Sequence, residues 1–206
     1  MIKKQRKSVD ISIQALKEGD RSEYARLVDE YSGMIFRLAL KILNNQQDAE
    51  DVLQETFIKA FQHIPTFQGH SSISTWLYRI STNEALMMIR KRKPETGSVS
   101  LEEYEDHDDN EPMQIEDWCC LPEEELLSAE TKEYLDEAIQ NISNNLKVVF
   151  LLRDVEGFSV RETAEILEIS EASVKTRLSR ARMRLQQELS KYFSPRISKE
   201  EKNAKS

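Results

Sequence analysis

The chain has 206 residues, of which 32% are charged and 39% apolar, with only five glycines and five prolines. This composition predicts an all-helical protein of one or two small domains. The longest apolar run, VVFLL at 148–152, is too short for a bilayer span, and adjacent Cys119 and Cys120 cannot staple distant segments. We therefore expect a cytoplasmic protein without a secretion signal.

The acidic residues are concentrated in one segment. The net charge is −8, yet residues 94–130 hold 14 acidic residues and no basic ones, which leaves 29 basic against 23 acidic residues elsewhere. The flanks are therefore mildly basic, and such asymmetry indicates a nucleic-acid partner.

The same acidic segment divides the chain into two blocks. Residues 94–127 contain three prolines and no sustained hydrophobic period, which predicts a flexible, extended linker. The linker separates an N-terminal domain at 9–93 from a C-terminal domain at 128–193. Residues 194–206 are predicted to form a disordered tail.

The N-terminal domain is predicted to contain three helices. The first begins with a D-x-x-E cap pattern at Asp20 and Glu23 and keeps the helical period to Ile42. The second begins near Asp48. We expect this second helix to place five apolar residues inside: Val52, Leu53, Phe57, Ile58 and Phe61.

The second helix also carries carboxylates on one face, since Asp48, Asp51 and Glu55 are spaced i, i+3 and i+7. A divalent-metal site is one interpretation, but hard cations need oxygen ligands from several segments, and no partner carboxylates are evident. The pattern favours a protein-binding face that meets arginines. A solvated face is the remaining alternative.

The third helix is predicted to begin after the capping residue Ser72 and to end near Arg92. Its core side is expected to contain Ile73, Leu77, Ile80 and Met87. A second stripe, about 60° wide, combines Trp76, Arg79, Asn83 and Arg90. Ring faces and cations are what unpaired bases and their backbone require. The alternative is a core tryptophan beside solvated arginines.

The C-terminal domain is predicted to contain four helices, including a helix-turn-helix. Gly157 ends one helix, Ser159 and Glu162 form a capping box for a short helix, and Ser170 caps a longer one. Residues 175–184 of the long helix contain five basic residues and no acidic one.

Helical geometry divides the basic residues of this long helix by direction. With Leu178 inward, four side chains turn toward a DNA groove: Lys175, Thr176, Ser179 and Arg180. Other arginines would contact phosphates or pack the domain: Arg161, Arg177, Arg182 and Arg184. A solvated basic face is the alternative.

Three segments, in this order, resemble the extracytoplasmic-function (ECF) group of bacterial RNA polymerase sigma factors. They are DAEDVLQETFIKAF, FQGHSSISTWLYRISTNEALMMIRKRK and LKVVFLLRDVEGFSVRETAEILEISEASVKTRLSRARMRL. The resemblance implies two helical domains, sigma domain 2 and sigma domain 4, without the intervening domain 3.

The resemblance also implies three binding surfaces. The polymerase-binding surface would comprise Asp48, Glu50, Asp51, Leu53, Gln54 and Glu55. The surface for the melted −10 element would comprise Gly69, Ser72, Ser74, Trp76, Arg79, Asn83 and Arg90. The surface for the duplex −35 element would comprise Arg161, Ser173, Lys175, Thr176, Arg177, Ser179 and Arg180.

The function implied is a non-enzymatic initiation factor without metal or cofactor. Its partners would be core RNA polymerase (the clamp of the largest subunit and the flap of the second-largest), promoter DNA and an anti-sigma factor, with no membrane insertion. The residues leave two alternatives. One is a conventional dimeric helix-turn-helix regulator, and the more distant is a metal-dependent nucleic-acid enzyme built on Asp48, Asp51 and Glu55.

Overall fold

The computed structural model describes residues 11–92 and 129–203, with side chains of the second range described from 134 to 191. Every regular element in these ranges is helical, which confirms the predicted all-α fold of two helical domains. The acidic linker predicted at 94–127, with Cys119 and Cys120, lies outside the described residues. Within the described ranges, none of the helices combines the length and apolarity that crossing a bilayer needs.

The described part of the N-terminal domain contains four α-helices: α1 (Ile13–Lys17), α2 (Arg21–Leu43), α3 (Gln46–His63) and α4 (Ile73–Arg92). A short 3₁₀ turn, Ile64–Thr66, follows α3. The five-residue α1 is too short to show a hydrophobic period, and the sequence pattern does not predict it. The other three helices lie where the pattern predicts them.

The start of α2 shows how local side chains fix a helix boundary. Asp20 accepts hydrogen bonds from the backbone nitrogens of Ser22 at 2.8 Å and Glu23 at 3.3 Å. Glu23 does not return to the cap residue; instead its Oε1 accepts from the backbone nitrogen of Ser12 at 2.7 Å, while Oε2 pairs with Arg26. The carboxylate therefore ties the start of α1 to α2.

The core face of α3 differs from the predicted one. Its buried residues are mostly small, and they are Asp48, Ala49, Val52, Thr56 and Ala60. The prediction that Ile58 and Phe61 lie inside is wrong, because these side chains are 50% and 60% exposed. Small residues let α3 approach α2 and α4 closely, so the larger residues of the helical period lie on the flank.

The C-terminal domain contains α5 (Ala129–Asn141), α6 (Asn144–Phe150), α7 (Val160–Leu167) and α8 (Glu171–Asn203). A π-helical turn, Leu151–Val155, extends α6 and ends before Gly157. Gly157 has a φ of 75°, a left-handed conformation that glycine adopts without strain. Ser159 and Glu162 form the predicted capping box for α7.

The last helix continues further than predicted. α8 extends through Asn203, so the tail predicted as disordered at 194–206 is helical as far as that residue. Lysine and glutamate, which recur between residues 199 and 202, are good helix formers, and adding residues to an existing helix is easier than starting one.

The two domains pack against each other around a shared apolar cluster. Residues of α2, α3 and α4, among them Leu38, Val52 and Tyr78, join Ile139 and Phe158 of the C-terminal domain in that cluster. A second cluster lies within the N-terminal domain. On α4 the buried residues are Thr75, Leu77, Tyr78, Ser81, Thr82 and Ala85. Met87, predicted to face the core, is 40% exposed because the buried face of α4 is turned toward both domains.

Candidate nucleic-acid interface

The loop before α4 presents small polar groups around the helix start. Ser72 Oγ accepts from the backbone nitrogen of Thr75 at 3.0 Å and lies 2.8 Å from Ser74 Oγ. Gly69 has a φ of 74°, and a side chain added there would meet nothing within 4 Å. Gly69, Ser72 and Ser74, which the resemblance assigns to the −10 element, therefore border open space at the start of α4.

Trp76 lies on the first turn of α4 and is half-buried. Its ring packs against Phe67, with centroids 5.1 Å apart and planes tilted by 45°, and it borders the N-terminal apolar cluster. One side of the indole thus packs against the N-terminal apolar cluster, while the rest of the ring remains accessible to solvent. An aromatic ring held in this way can offer a fixed stacking surface.

The other members of the predicted stripe follow Trp76 along α4. Arg79 and Arg90 are exposed and Asn83 is half-buried. Arg79 Nη2 lies 2.9 Å from Glu168 Oε1, a residue of the C-terminal domain. We call these four residues, Trp76, Arg79, Asn83 and Arg90, the α4 stripe.

The helix-turn-helix consists of α7, a turn and α8. Glu168 adopts a left-handed conformation with a φ of 56°, and its backbone nitrogen donates to the carbonyl of Ala164. Ser170 then caps α8, accepting from the backbone nitrogen of Ser173 at 3.1 Å. Ser170 is the cap residue predicted from the sequence, whereas the left-handed Glu168 at the end of α7 is not predicted by it.

The residues predicted for the −35 element lie on the outer side of this motif. Lys175, Thr176, Ser179 and Arg161 are exposed, and Ser173, Arg177 and Arg180 are half-buried. Burial lowers the pKa of Arg177 from its ordinary value, although the guanidinium remains a cation at any physiological pH. The members of this set on α8 form a polar and cationic surface over its first three turns.

Arg182 has a packing role. Its Nε and Nη2 each donate to Asp154 at 2.8 Å, which joins α8 to the π-helical turn. This bidentate pair raises the pKa of Arg182, because the charged guanidinium donates both hydrogen bonds to the Asp154 carboxylate. Of the two roles that the sequence left open for Arg182, packing is the one observed.

The predicted polymerase-binding residues are spread over different environments on α3. Asp51 and Gln54 are exposed, whereas Glu50, Leu53 and Glu55 are half-buried. Asp48 is only 8% exposed and forms an ion pair with Arg92 at the end of α4. Asp48 therefore joins two helices of its own domain in this structure, and its carboxylate is turned away from the exposed face.

An exposed apolar patch extends this face of α3. Ile58 lies one turn after Gln54 and Glu55, and Phe61 one turn further, on the same side of the helix. Phe61 packs edge-on against Tyr24 of α2, with centroids 4.9 Å apart, and Val28 of α2 is 38% exposed. The sequence pattern predicts that Ile58 and Phe61 lie inside the domain. The one sequence feature that argues against this is the row of small residues on the opposite face of α3.

Tyr24 beside this patch allows a stability prediction. Its hydroxyl is buried without a hydrogen-bond partner among the described residues, and burial raises its pKa to about 12. We expect Tyr24→Phe to raise the free energy of unfolding by about 1 kcal/mol, because it removes an unsatisfied polar group.

The same substitution should change the pH dependence of stability. A raised pKa means that the folded protein holds the phenol proton more tightly than the unfolded chain. The free energy of unfolding of wild type is therefore independent of this group below pH 10 and falls as the pH rises from 10 through the folded pKa, because the unfolded chain ionises first; Tyr24→Phe should lack this fall. Urea unfolding of both proteins between pH 8 and 12 measures this, and a variant less stable than wild type at pH 8 would contradict the assignment.

Two of the three carboxylates that the sequence offers for a metal site, Asp48 and Glu55, face cations. Asp48 pairs with Arg92, and Glu55 lies 3.4 Å from Lys59, which also pairs with Glu84 at 2.6 Å. Among the described side chains, no group of three or more histidine, cysteine or acidic residues is arranged to hold a metal ion.

Comparison with known families places both halves of the chain. Residues 27–95 match the family model for Sigma-70 region 2, and residues 132–185 match that for Sigma-70 region 4. The α4 stripe and the acidic side of α3 lie in the first match, and the helix-turn-helix lies in the second.

Curated relatives and solved structures agree. The chain is 35% identical to the ECF RNA polymerase sigma factor SigW of Bacillus subtilis over 86% of its own length and 94% of the relative's. It is 33% identical to the ECF RNA polymerase sigma-E factor of Haemophilus influenzae, over 82% of this chain and 89% of that protein.

The sigma factor RpoE of Bartonella quintana, solved in complex with the anti-sigma factor NepR, superposes with a TM-score of 0.60 at 25% identity, over 82% of this chain and 97% of that chain. These matches do not support a dimeric helix-turn-helix regulator, because both regions are those of sigma factors. The chain belongs to the ECF sigma factors of bacterial RNA polymerase.

Proposed function

We propose that this sigma factor directs core RNA polymerase to a two-part promoter by dividing the work between its domains. The α4 stripe and the Gly69–Ser74 loop engage the melted −10 strand, and the outer side of α8 engages the duplex −35 element. The observation that carries the proposal is the order of the two matched regions, each of which contains one of these surfaces.

Energetics support the need for a polymerase partner. Opening ten base pairs costs roughly 14 kcal/mol, at a mean stacking energy of about 1.4 kcal/mol per step. Stacking a base on an aromatic side chain returns about 1–3 kcal/mol. One half-buried tryptophan cannot offset that cost alone, so the sigma factor stabilises a strand that the larger assembly separates.

The linker between the domains is long enough for both domains to reach their promoter elements at the same time. The 36 residues between Arg92 and Ala129 can span about 120 Å when extended. Two helical turns of DNA measure about 70 Å. Two weak modules on one DNA gain affinity through their effective concentration, so neither domain has to bind tightly alone.

The exposed face of α3 is the proposed polymerase contact. Asp51, Gln54 and Glu55 provide an acidic and polar rim, and Ile58 with Phe61 adds an apolar centre. Apolar anchors surrounded by charged groups are typical of protein interfaces, and acidic groups here fit a partner helix that carries arginines. Asp48 and Leu53 contribute by holding α3 in place.

Three further assignments belong to this proposal. The factor acts in the cytoplasm, where core polymerase works. It has no catalytic activity of its own, since the chemistry of RNA synthesis belongs to the core enzyme. An anti-sigma factor controls it, as supported by the similar sigma factor solved in complex with one.

Transcription in vitro tests the proposal. Purified protein is added to core polymerase on a library of genomic fragments from the source bacterium, and the transcripts are sequenced. We expect transcripts from a defined set of start sites that share two upstream elements. Transcripts no different from those of core enzyme alone would contradict the proposal.

The reading of the −35 element gives a residue-level prediction. Arg180→Ala should weaken binding to the preferred −35 sequence by about 1–3 kcal/mol, the usual value of one base contact. Fluorescence anisotropy on the preferred and a scrambled duplex, with holoenzyme, measures the ratio. Lys191→Ala, a cation further along α8, serves as control, and equal losses on both duplexes would make Arg180 a phosphate contact.

A further inference from the structure

Two ion pairs join α3, which carries the proposed polymerase contact, to α4, which carries the proposed strand contact. Asp48 near the start of α3 pairs with Arg92 at the end of α4. Lys59, in the second half of α3, donates from Nζ to Glu84 Oε1 of α4 at 2.6 Å. The two helices are therefore linked at two points, about 16 Å apart along α3 at 1.5 Å per residue.

The two pairs have opposite polarity. Lys59 is the single lysine or arginine of α3, which has four acidic residues, and Glu84 is the single acidic residue of α4, which has four basic ones. An acidic helix facing a basic helix would be attracted to it in many relative positions. The reversed pair disfavours the others, because displacing α4 moves Lys59 away from its carboxylate and toward neutral or cationic residues.

Glu84 lies on the inner side of α4. It follows Leu77 and Ile80 on the line that was predicted to face the core, and its side chain is only 15% exposed. A carboxylate in this place loses hydration and needs a partner. The hydrogen bond to Glu84 supplies one and raises the pKa of Lys59. Replacing such a pair by apolar residues often leaves stability unchanged, whereas the pair itself can specify one arrangement of helices.

Several buried side chains of α3 and α4 are small and carry hydroxyl groups. The Thr56 hydroxyl donates to the carbonyl of Val52 in its own helix. The hydroxyls of Ser81 and Thr82 on α4 are buried and have no hydrogen-bond partner among the described residues. The two ion pairs therefore supply directional contacts between the helices that these hydroxyls do not.

We propose that Lys59 and Glu84 are positioning residues for promoter opening, which fix the α4 stripe relative to the polymerase-binding face of α3. The inference rests on the proposed function, because it assigns a geometric role between the two surfaces proposed there. Polymerase bound to α3 delivers the separated strand to one place, and Trp76 must lie at that place to stack on an unpaired base. A displacement of about 1 Å can lower the rate or affinity of such a step up to a hundredfold.

The first test is Glu84→Gln, which keeps the size of the side chain and removes its charge. Lys59 keeps Glu55, 3.4 Å away, as a partner, so no cation is left unpaired and the fold should persist. Loss of one acidic residue would by itself strengthen binding of an anionic strand. Loss of position should weaken it, so the two effects have opposite signs.

Promoter opening and polymerase binding are measured separately with full-length chains. We expect the permanganate reactivity of promoter thymines with holoenzyme to fall on the order of fivefold in Glu84→Gln. The dissociation constant for core polymerase, from titration of labelled sigma factor, should be unchanged, because the exposed face of α3 is unaltered. Lys59→Arg, which keeps a cation able to pair with Glu84, should retain most of the opening.

The matched control is Glu188→Gln. Glu188 also pairs with a lysine, Lys191 at 2.7 Å, but the two residues lie on one helix, so their pair positions no second element. The change in charge is the same as in Glu84→Gln. Opening with this control should not fall below that of wild type.

An apolar replacement separates positioning from stability. Lys59→Met with Glu84→Leu should leave the free energy of unfolding in urea close to that of wild type, because apolar contact replaces a partly buried ion pair. Opening should nevertheless fall as in Glu84→Gln. A role in stability alone would instead make the loss of opening follow the loss of unfolding free energy across the variants.

Two results would overturn the inference: opening equal to wild type in Glu84→Gln, or a loss of opening that follows unfolding free energy across all variants. Failure of the proposed function is distinct, because wild type itself would then show no polymerase-dependent opening. Failure of the inference alone leaves wild type active.

Discussion

Trp76→Leu should lower the stability of the melted promoter complex by about 1–3 kcal/mol, or roughly 5- to 150-fold, because it removes the ring on which an unpaired base stacks. Leucine retains apolar contact with Phe67 and the cluster behind it, so the fold should survive. Reactivity of unpaired thymines toward permanganate, measured on the promoter with holoenzyme, reports the opening.

Two further measurements isolate this effect. Trp76→Phe keeps an aromatic face at the same place and should retain most of the opening, whereas loss of packing alone would affect both variants alike. Binding of core polymerase should be unchanged in both. Permanganate reactivity equal to wild type in Trp76→Leu would remove the residue from the proposed strand contact.

Asp51→Arg should weaken binding to core polymerase by about 2 kcal/mol, or roughly thirtyfold, because it places a cation where the proposed partner helix carries arginines. Asp51 is exposed on the second turn of α3, so the change should not affect folding. Titration of labelled sigma factor with core enzyme measures the dissociation constant.

The matched control is Glu18→Arg. It makes the same change in charge on the N-terminal domain, at the exposed C-terminal end of α1 rather than on α3. We expect near-normal polymerase binding for this control. Equal weakening by both variants would show that the overall charge of the chain weakens polymerase binding. Normal binding by Asp51→Arg would show that the exposed face of α3 is not part of the polymerase interface.

Helix boundaries were predictable because the chemistry that sets them is local. Asp20, the Ser159–Glu162 capping box and the Ser170 cap each satisfy backbone groups two or three residues away. Such pairs are visible in the sequence without knowledge of the tertiary fold. The family of the two domains was also predictable from sequence, because the motifs that identify it are contiguous segments of the chain.

The use of each helix face was less predictable, since it depends on distant partners. Ile58 and Phe61 fit a helical period, yet they are exposed because small residues form the close contacts of α3. The spacing of the carboxylates predicts Asp48 on a binding face, but Arg92, 44 residues away, pairs with it. The burial of Tyr78 likewise requires Phe158 of the other domain.

The most direct test of the whole account is a cryo-electron-microscopy structure of this sigma factor with core polymerase and an open promoter. We expect an unpaired −10 base on the ring of Trp76, Arg79 released from Glu168 and near the strand backbone, and α8 in the −35 major groove. A map in which Trp76 contacts only protein and Arg79 still pairs with Glu168 would contradict it.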